Sequence, residues 1–264
     1  MHQTKCYAAH SDNTPLVNHT IYRREIGKKD IFIEIEFCGV CHTDYHYAKN
    51  DWGITRYPFV GGHEIIGVIK GLGEEVKDFN LGDRVAVGCF VNSCRNCNSC
   101  NNDFEQYCTE GLIKTYNDLI SDPGGHTFGG YSKSIVVDEH FVFSIPKNLN
   151  SAGAAPLLCA GITTYSPLNH WQVSEGMSVG VIGLGGLGHM AVKFSSALKA
   201  KTVVFTTTEK KSEDALRLGA DQVVLSIDEE QMKKETGRFD FILDTVPVAH
   251  DVSRYMPLFK FDGS

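Results

Sequence analysis

The chain has 264 residues, 42% of them hydrophobic and 22% charged, which is enough apolar material for one large domain or two ordinary ones. Because 32 acidic residues outnumber 25 Lys and Arg, the net charge is −7, and a basic surface for a nucleic-acid backbone is not expected. No run of about 20 apolar residues predicts a membrane span, and Met1–Lys5 lacks an apolar signal core, so we expect a cytoplasmic protein.

Short strands separated by turns are predicted over the first 150 residues. Apolar residues alternate with other side chains over 31–37, which indicates a half-buried strand. Further β-rich runs lie at 64–70, 84–87, 131–137 and 141–145. This pattern predicts a small barrel or sandwich with long functional loops, as a first domain over 1–150.

From residue 151 onward, helices and strands alternate. The predicted helices run from 151 through Cys159, over 189–199 and over 212–218, and the predicted strands lie at 178–182, 202–206, 222–225 and 239–243. Such alternation is typical of a parallel, doubly wound sheet. The sequence therefore predicts a two-domain α/β protein whose second domain spans 151–264.

Four cysteines cluster in one predicted lobe over about residues 89–110, namely Cys94, Cys97, Cys100 and Cys108. Four thiolates suit tetrahedral zinc, and the metal would order a segment that has few apolar residues. A cubane iron–sulfur cluster would favour a shorter last spacing followed by Pro, and unligated cysteines would lie among apolar residues rather than Asn, Ser and Asp. A closed, structural zinc site is therefore predicted.

Three remote segments carry candidate ligands of a second metal site. They place Cys41 before His-Thr-Asp, His63 after Gly-Gly, and Cys159 within Leu-Leu-Cys-Ala-Gly. Each segment alone is weak evidence, because a single buried Cys is usually an inert core residue. Together, two cysteines and one histidine match a catalytic zinc site whose fourth position stays open for water or substrate.

The order of these motifs resembles that of the zinc-dependent medium-chain alcohol dehydrogenases, most of all the cinnamyl-alcohol-dehydrogenase type of aldehyde reductase. The matching segments are 38–44, 62–67, 82–85, the four-cysteine lobe, 158–165 and 183–188. The resemblance covers essentially the whole chain. It implies a GroES-like β-barrel catalytic domain, a Rossmann domain, and NADP(H)-dependent interconversion of primary aromatic or aliphatic alcohols and aldehydes.

The resemblance also implies roles for the metal-site residues. Cys41, His63 and Cys159 bind the catalytic zinc, Glu64 is the carboxylate beside them, and Asp44 supports the His63 ring through its other nitrogen. With the structural site, two zinc ions are expected per chain.

Thr43 and His46 share a helical face, because they lie three residues apart. By resemblance, Thr43 contacts the substrate oxygen, and a relay through the cofactor ribose reaches His46 and solvent. Trp52 lines the substrate slot. Each of these residues also has a simpler alternative role. Thr43 is then only an N-cap, His46 is only a solvated histidine, and Trp52 is only a packing residue.

A glycine-rich motif follows the predicted strand 178–182 and opens a helix. This context is the one that the GxGxxG dinucleotide fingerprint requires, although a glycine-rich turn without ligand is the alternative. The cofactor-binding residues predicted there are Gly183, Leu184, Gly185, Gly186, Leu187 and Gly188, and the resemblance adds Thr164.

The next predicted strand ends in hydroxyl residues where an NAD enzyme carries an acidic residue. Thr206, Thr207 and Thr208 occupy this point, with Lys211 close behind. Hydroxyls and a cation suit a 2′-phosphate, whereas a carboxylate would repel it. The negative charge of Glu209 argues against binding of a 2′-phosphate, but we interpret this residue as an acidic group in the first turn of the next helix. NADP(H) is therefore the expected cofactor.

The chain ends after four predicted strands of a sheet that usually has about six. We therefore expect a C-terminally incomplete chain with an unpaired strand edge at 239–243 and weak nicotinamide binding. A full-length enzyme is expected to form a homodimer, whereas dimer formation by this chain is doubtful. Two alternatives remain: a non-catalytic zinc-binding fragment, and a polyol dehydrogenase, which would prefer NAD and commonly replaces part of the cysteine ligation.

Overall fold

The strands of the first part of the chain pair antiparallel, whereas strands alternate with helices in the rest. The structure is a computed structural model that describes residues 1–264. It divides into two units, Met1–Cys159 and Ala160–Ser264. None of its helices combines the length and the apolar character that a membrane crossing requires.

The first unit contains nine strands and two α-helices. They are β1 (His2–Ala8), β2 (Val17–Arg23), β3 (Asp30–Cys38), α1 (His42–Ala48), β4 (Ile65–Leu72), β5 (Arg84–Val87), β6 (Phe90–Asn92), β7 (Ile113–Lys114), β8 (Ser134–Asp138), β9 (Phe143–Ser144) and α2 (Ser151–Ala154). Five strands form an antiparallel sheet in the order β8-β3-β4-β5-β9, while β1 pairs with β2 and β6 with β7. The sheet carries the segments that hold the candidate metal ligands.

Alternation along β3 buries Ile31 and Ile33 in the core of this sheet. Strands β4 and β5 complete the core with apolar side chains such as Ile65, Ile69 and Val85. Because α1 follows β3 and the Gly61–Glu64 segment precedes β4, the paired ends of these strands bring two candidate ligand segments together.

The second unit alternates helices and strands throughout. Its elements are α3 (Ala160–His170), β10 (Ser178–Ile182), α4 (Gly186–Ala197), β11 (Lys201–Thr206), α5 (Ser212–Leu218), β12 (Gln222–Leu225), α6 (Glu229–Lys234) and β13 (Phe241–Asp244). The strands are all parallel, in the order β12-β11-β10-β13. The predicted two-domain α/β fold is thus confirmed.

Strand β13 lies at the edge of the parallel sheet, but its outer side is paired. Lys260 N donates to Phe239 O, Ser264 N donates to Asp240 O, and Ile242 N donates to Ser264 O. The expectation of an unpaired edge over 239–243 is therefore wrong for Phe239, Asp240 and Ile242, because the segment 260–264 pairs with their backbone groups.

The two units divide after Cys159 rather than after residue 150. Ala154 and Ala155 join Ile66 and Ala86 in one apolar cluster, so that α2 belongs to the first unit. The sequence predicted that Cys159 lies in a helix, but it does not. Its backbone has φ −128° and ψ −77°, and it lies between a 3-10 turn and α3. All candidate ligands of the second metal site therefore lie in, or at the end of, the first unit.

Candidate active site

Four candidate ligands converge in the first unit. The ligand atoms of Cys41, His63, Glu64 and Cys159 all lie within 4.8 Å of one another. Cys41 directly precedes α1, the pair His63–Glu64 directly precedes β4, and Cys159 ends the unit. Three segments that are remote in sequence are thus brought together as predicted.

The spacing of these atoms fits zinc. The Sγ atoms of Cys41 and Cys159 are 3.8 Å apart. A tetrahedral ion with Zn–S bonds of about 2.3 Å separates two sulfur ligands by about 3.8 Å. Nε2 of His63 is buried and has no hydrogen-bond partner in the protein. The donor set therefore matches two thiolates and an imidazole around one cation.

Both thiols of this cluster have raised pKa values. The neighbouring Cys159 thiol and then burial raise the pKa of Cys41 to about 12. The pKa of Cys159 is also about 12, because the Cys89 thiol and burial together outweigh a lowering by Cys41. Two thiols held this close ionise together only when a cation compensates their charge, as a zinc ion would.

Asp44 connects the two ligand segments through the backbone. Its Oδ2 accepts a hydrogen bond from Cys41 N and its Oδ1 accepts one from Gly62 N, both at 2.9 Å. The expected contact of this carboxylate with the His63 ring is not among its hydrogen bonds, because two backbone N–H groups and the Tyr131 hydroxyl occupy it. Asp44 is 4% exposed, so these bonds form away from water.

His46 lies on α1 within a stack of aromatic rings. Its Nδ1 is 2.7 Å from Oδ2 of Asp51, and its ring stacks on His42 at 4.6 Å. Trp52 packs against His46 at 5.1 Å and is 49% exposed. Thr43 is half-buried, and its hydroxyl and N–H lower the pKa of the Cys41 thiol. The catalytic roles of Thr43, His46 and Trp52 stay predictions.

The four cysteines of the predicted lobe form a second cluster. The ligand atoms of Cys94, Cys97, Cys100 and Cys108 lie within 4.8 Å of one another. The Sγ atom of Cys100 is 3.8 Å from that of Cys94 and 3.5 Å from that of Cys97. This geometry fits four-thiolate zinc, which leaves no position for substrate.

Backbone N–H groups stabilise the thiolates of this lobe. Hydrogen bonds from the N–H groups of Cys100 and Thr109 lower the pKa of Cys97 to about 5. The N–H of Cys94 lowers the pKa of Cys108 in the same way. Thiolate is the form that binds metal, so the backbone favours ligation by Cys97 and Cys108 before any ion arrives, whereas the pKa of Cys94 is raised to about 11.

The glycine-rich turn lies between β10 and α4 in the second unit. Gly183 has φ +86°, a conformation that favours glycine. A Cβ on Gly188 would overlap the carbonyl oxygen of Gly183, whereas a Cβ on Gly185 or Gly186 would meet no atom within 4 Å. The turn therefore packs tightly on its helix and leaves open space on the other side, where a pyrophosphate fits against the helix N-terminus. Leu184 and Leu187 are half-buried within this turn.

The residues predicted to select the cofactor lie beside this turn. Thr207 and Thr208 are exposed after β11, while Thr206 is buried and its Oγ1 accepts a hydrogen bond from Thr208 N. Lys211 Nζ donates to the Leu184 carbonyl at 3.0 Å, which holds its ammonium group over the turn. The buried Thr164 donates to Ala160 O within its own helix. The cofactor-binding roles of these residues stay predictions.

Two tyrosines next to the metal cluster were missed at the sequence level. The Tyr116 ring stacks on His63 at 5.3 Å, and its buried hydroxyl has no partner in the protein. The Tyr131 hydroxyl donates to Asp44. Neither lies in a motif or near a ligand in sequence, so no local signal could have found them.

Models of two protein families match the chain: the alcohol dehydrogenase GroES-like domain over residues 27–147 and the zinc-binding dehydrogenase over residues 186–264. NADP-dependent alcohol dehydrogenase C 1 of Mycolicibacterium smegmatis is 50% identical over 265 residues, which cover all of this chain and 76% of that protein. Aldehyde reductase YahK of Escherichia coli is 48% identical over 98% of this chain and 74% of its own length. The structure of a Helicobacter pylori cinnamyl alcohol dehydrogenase complexed with NADP(H) superposes with a TM-score of 0.91 at 43% identity, covering 99% of this chain and 74% of that one.

Proposed function

The chain belongs to the zinc-dependent alcohol dehydrogenase family, and we propose that it interconverts primary alcohols and aldehydes with catalytic zinc and NADP(H). The observation that carries this function is the convergence of Cys41, His63 and Cys159 at a spacing that fits zinc. Relatives named as NADP-dependent alcohol dehydrogenase and aldehyde reductase support the reaction and the cofactor. When bound, zinc polarises the substrate oxygen and NADP(H) exchanges hydride with the carbon.

The residues of the first unit hold the metal and move the proton. Cys41, His63 and Cys159 would bind the ion, with Glu64 beside it. Thr43 Oγ1, one residue beyond the start of α1, would exchange the proton of the substrate hydroxyl. Because Asp51 occupies Nδ1 of His46, Nε2 is the nitrogen free to exchange this proton with solvent.

The residues of the second unit would bind the cofactor. The backbone of the Gly183–Gly188 turn faces open space at the start of α4, which suits the pyrophosphate. Thr207, Thr208 and the Lys211 ammonium would bind the 2′-phosphate. A location in the cytoplasm suits such a protein, because thiolate zinc sites need a reducing compartment. The substrate is a small alcohol or aldehyde, and a homodimer is the form expected in this family.

Zinc content and turnover test this function together. We expect two zinc ions per chain, oxidation of NADPH with benzaldehyde or cinnamaldehyde, and a higher kcat/KM with NADPH than with NADH. Cys159→Ser should keep one zinc and lose activity by ~10³-fold, because a metal Lewis acid supplies several kcal/mol.

The matched control is Cys6→Ser, which changes a buried cysteine of β1 outside both clusters and should retain both zinc ions. Two bound zinc ions without turnover would favour the non-catalytic alternative. Preference for NADH would favour the polyol dehydrogenase.

A further inference from the structure

A tyrosine outside every motif is hydrogen-bonded to the carboxylate that joins the catalytic ligand segments. Tyr131 Oη donates to Oδ2 of Asp44 at 2.7 Å. The same oxygen accepts from Cys41 N, while Oδ1 accepts from Gly62 N, the residue before His63. This buried carboxylate thus accepts hydrogen bonds from two backbone N–H groups and from the Tyr131 hydroxyl.

The backbone around Tyr131 is fixed on the same segment that it supports. Tyr131 N donates to Gly61 O at 2.9 Å, and Gly130 N donates to Gly62 O at 2.8 Å. Gly62 has φ +95°, and a Cβ there would lie 2.8 Å from Cδ1 of Tyr131. The ring is therefore packed directly against the turn that leads to His63.

A buried arginine holds this segment from its other side. Arg23 donates from Nη1 to Phe128 O at 2.6 Å and from Nη2 to Gly129 O at 2.9 Å. Because Phe128 and Gly129 lie three and two residues before Tyr131, Arg23 anchors the tyrosine from outside the segment that carries His63. A group anchored in this way can impose a position on Asp44 rather than follow it.

We propose that Tyr131 is a positioning residue of the catalytic metal site, whose hydroxyl fixes the Asp44 carboxylate and through it the spacing of Cys41 and His63. This inference rests on the proposed function, because it assumes that these two residues bind a catalytic zinc. Burial and the Asp44 charge raise the pKa of Tyr131, so that its hydroxyl stays protonated and donates throughout the working pH range.

The test compares Tyr131→Phe with wild type in the full zinc-loaded chain. The variant keeps the ring and loses only the hydroxyl. We expect release of the catalytic zinc to a chelator to be ~10-fold faster or more, since losing a partner behind a metal ligand costs 10–100-fold in affinity or activity. The zinc of the four-cysteine lobe should leave at the wild-type rate. After cobalt substitution, the visible spectrum of the catalytic site should change.

Tyr22→Phe is the matched control, because Tyr22 is 49% exposed on β2 and lies outside both metal clusters. It should leave the zinc-release rate and the cobalt spectrum unchanged. Asp44→Asn provides a second test: if Tyr131 acts through Asp44, the effects of the two substitutions on zinc release should be clearly less than additive in the double variant.

The outcomes separate this inference from the proposed function. If wild type binds two zinc ions and reduces aldehydes, but Tyr131→Phe releases the catalytic zinc at the wild-type rate with an unchanged cobalt spectrum, the role of Tyr131 is wrong and the function stands. Full additivity with Asp44→Asn would also overturn it. A wild-type chain that holds zinc only in the lobe would overturn both.

Discussion

Gly188 is the residue at which the glycine-rich turn and helix α4 come closest. A Cβ there would overlap the Gly183 carbonyl oxygen and lie 3.0 Å from Thr245 Oγ1. Both neighbours are held in place, since Thr245 Oγ1 itself donates to Ile182 O at 2.8 Å. We therefore predict that Gly188→Ala destabilises the protein by about 1–3 kcal/mol, the usual effect of overpacking. Urea unfolding without cofactor measures it.

Gly186→Ala is the control for this prediction, because its Cβ would meet no atom within 4 Å. It should leave the free energy of unfolding unchanged but weaken binding of NADP⁺, since the methyl group would enter the space proposed for the pyrophosphate. Equal stability of the two variants would show that the turn tolerates a side chain at Gly188.

Single residues also mark the limit of what the sequence predicts about the site. The ligand residues could be proposed because Cys and His have few other roles in such motifs. Tyr131 could not, because its bond to Asp44 depends on the pairing of two loops that are remote in sequence. Asp44 was recognised as a support, but its partners are two backbone N–H groups and the hydroxyl of a remote tyrosine, which the local sequence does not reveal.

Among the elements, the four-cysteine lobe depends most on its metal. Its thiolates are held by backbone N–H groups, and Ser93, Thr109 and Asn residues surround them instead of an apolar core. We predict that Cys97→Ser removes one of the two zinc ions and makes residues 93–110 sensitive to protease, since structural zinc supplies the folding energy of such a segment. Metal analysis and mass spectrometry of the cleavage sites measure both effects.

The same lobe should lose its zinc on acidification. The pKa of Cys97 is about 5 in the folded chain against 9.0 for an unperturbed cysteine thiol, so its stabilising effect is complete above pH 9 and disappears as the pH falls to 5. Zinc content measured against pH tests this, and Cys97→Ser, which already lacks the zinc of the lobe, should show no such loss. A lobe that resists protease without zinc would contradict the assignment.

Elements with a strong local pattern were predicted to the residue, whereas those set by tertiary contacts were not. The strands at 84–87, 178–182 and 222–225 and the helix at 212–218 are confirmed with the predicted bounds. Strands β1 and β2 were missed, because five of the seven residues in β1 are polar or charged or aromatic and the alternation is hard to see. The predicted helix through Cys159 is broken there, since the cysteine turns out of helical geometry.

At the scale of the molecule, the alternation of strands and helices was sufficient for the two-domain organisation. The alternation did not give the boundary between the two domains, because α2 carries a helical pattern yet packs its alanines on the antiparallel sheet. The outer partner of β13 was not predictable either, since it is an irregular segment that pairs only through its backbone. Composition and periodicity describe elements, whereas such contacts depend on the folded chain.

Each of the two units has its own core, its own proposed ligand and a single tryptophan. Trp52 lies in Met1–Cys159 with both zinc clusters, and Trp171 lies in Ala160–Ser264 with the glycine-rich turn. We predict that a chelator lowers the unfolding temperature reported by Trp52 in Trp171→Phe. NADP⁺ should raise the unfolding temperature that Trp171 reports in Trp52→Phe. At a concentration of 100 times Kd, NADP⁺ stabilises the unit by about 2.7 kcal/mol. Fluorescence-detected melting of the two variants measures both shifts. Equal shifts in both variants with either ligand would contradict separate units and show that the chain unfolds as one.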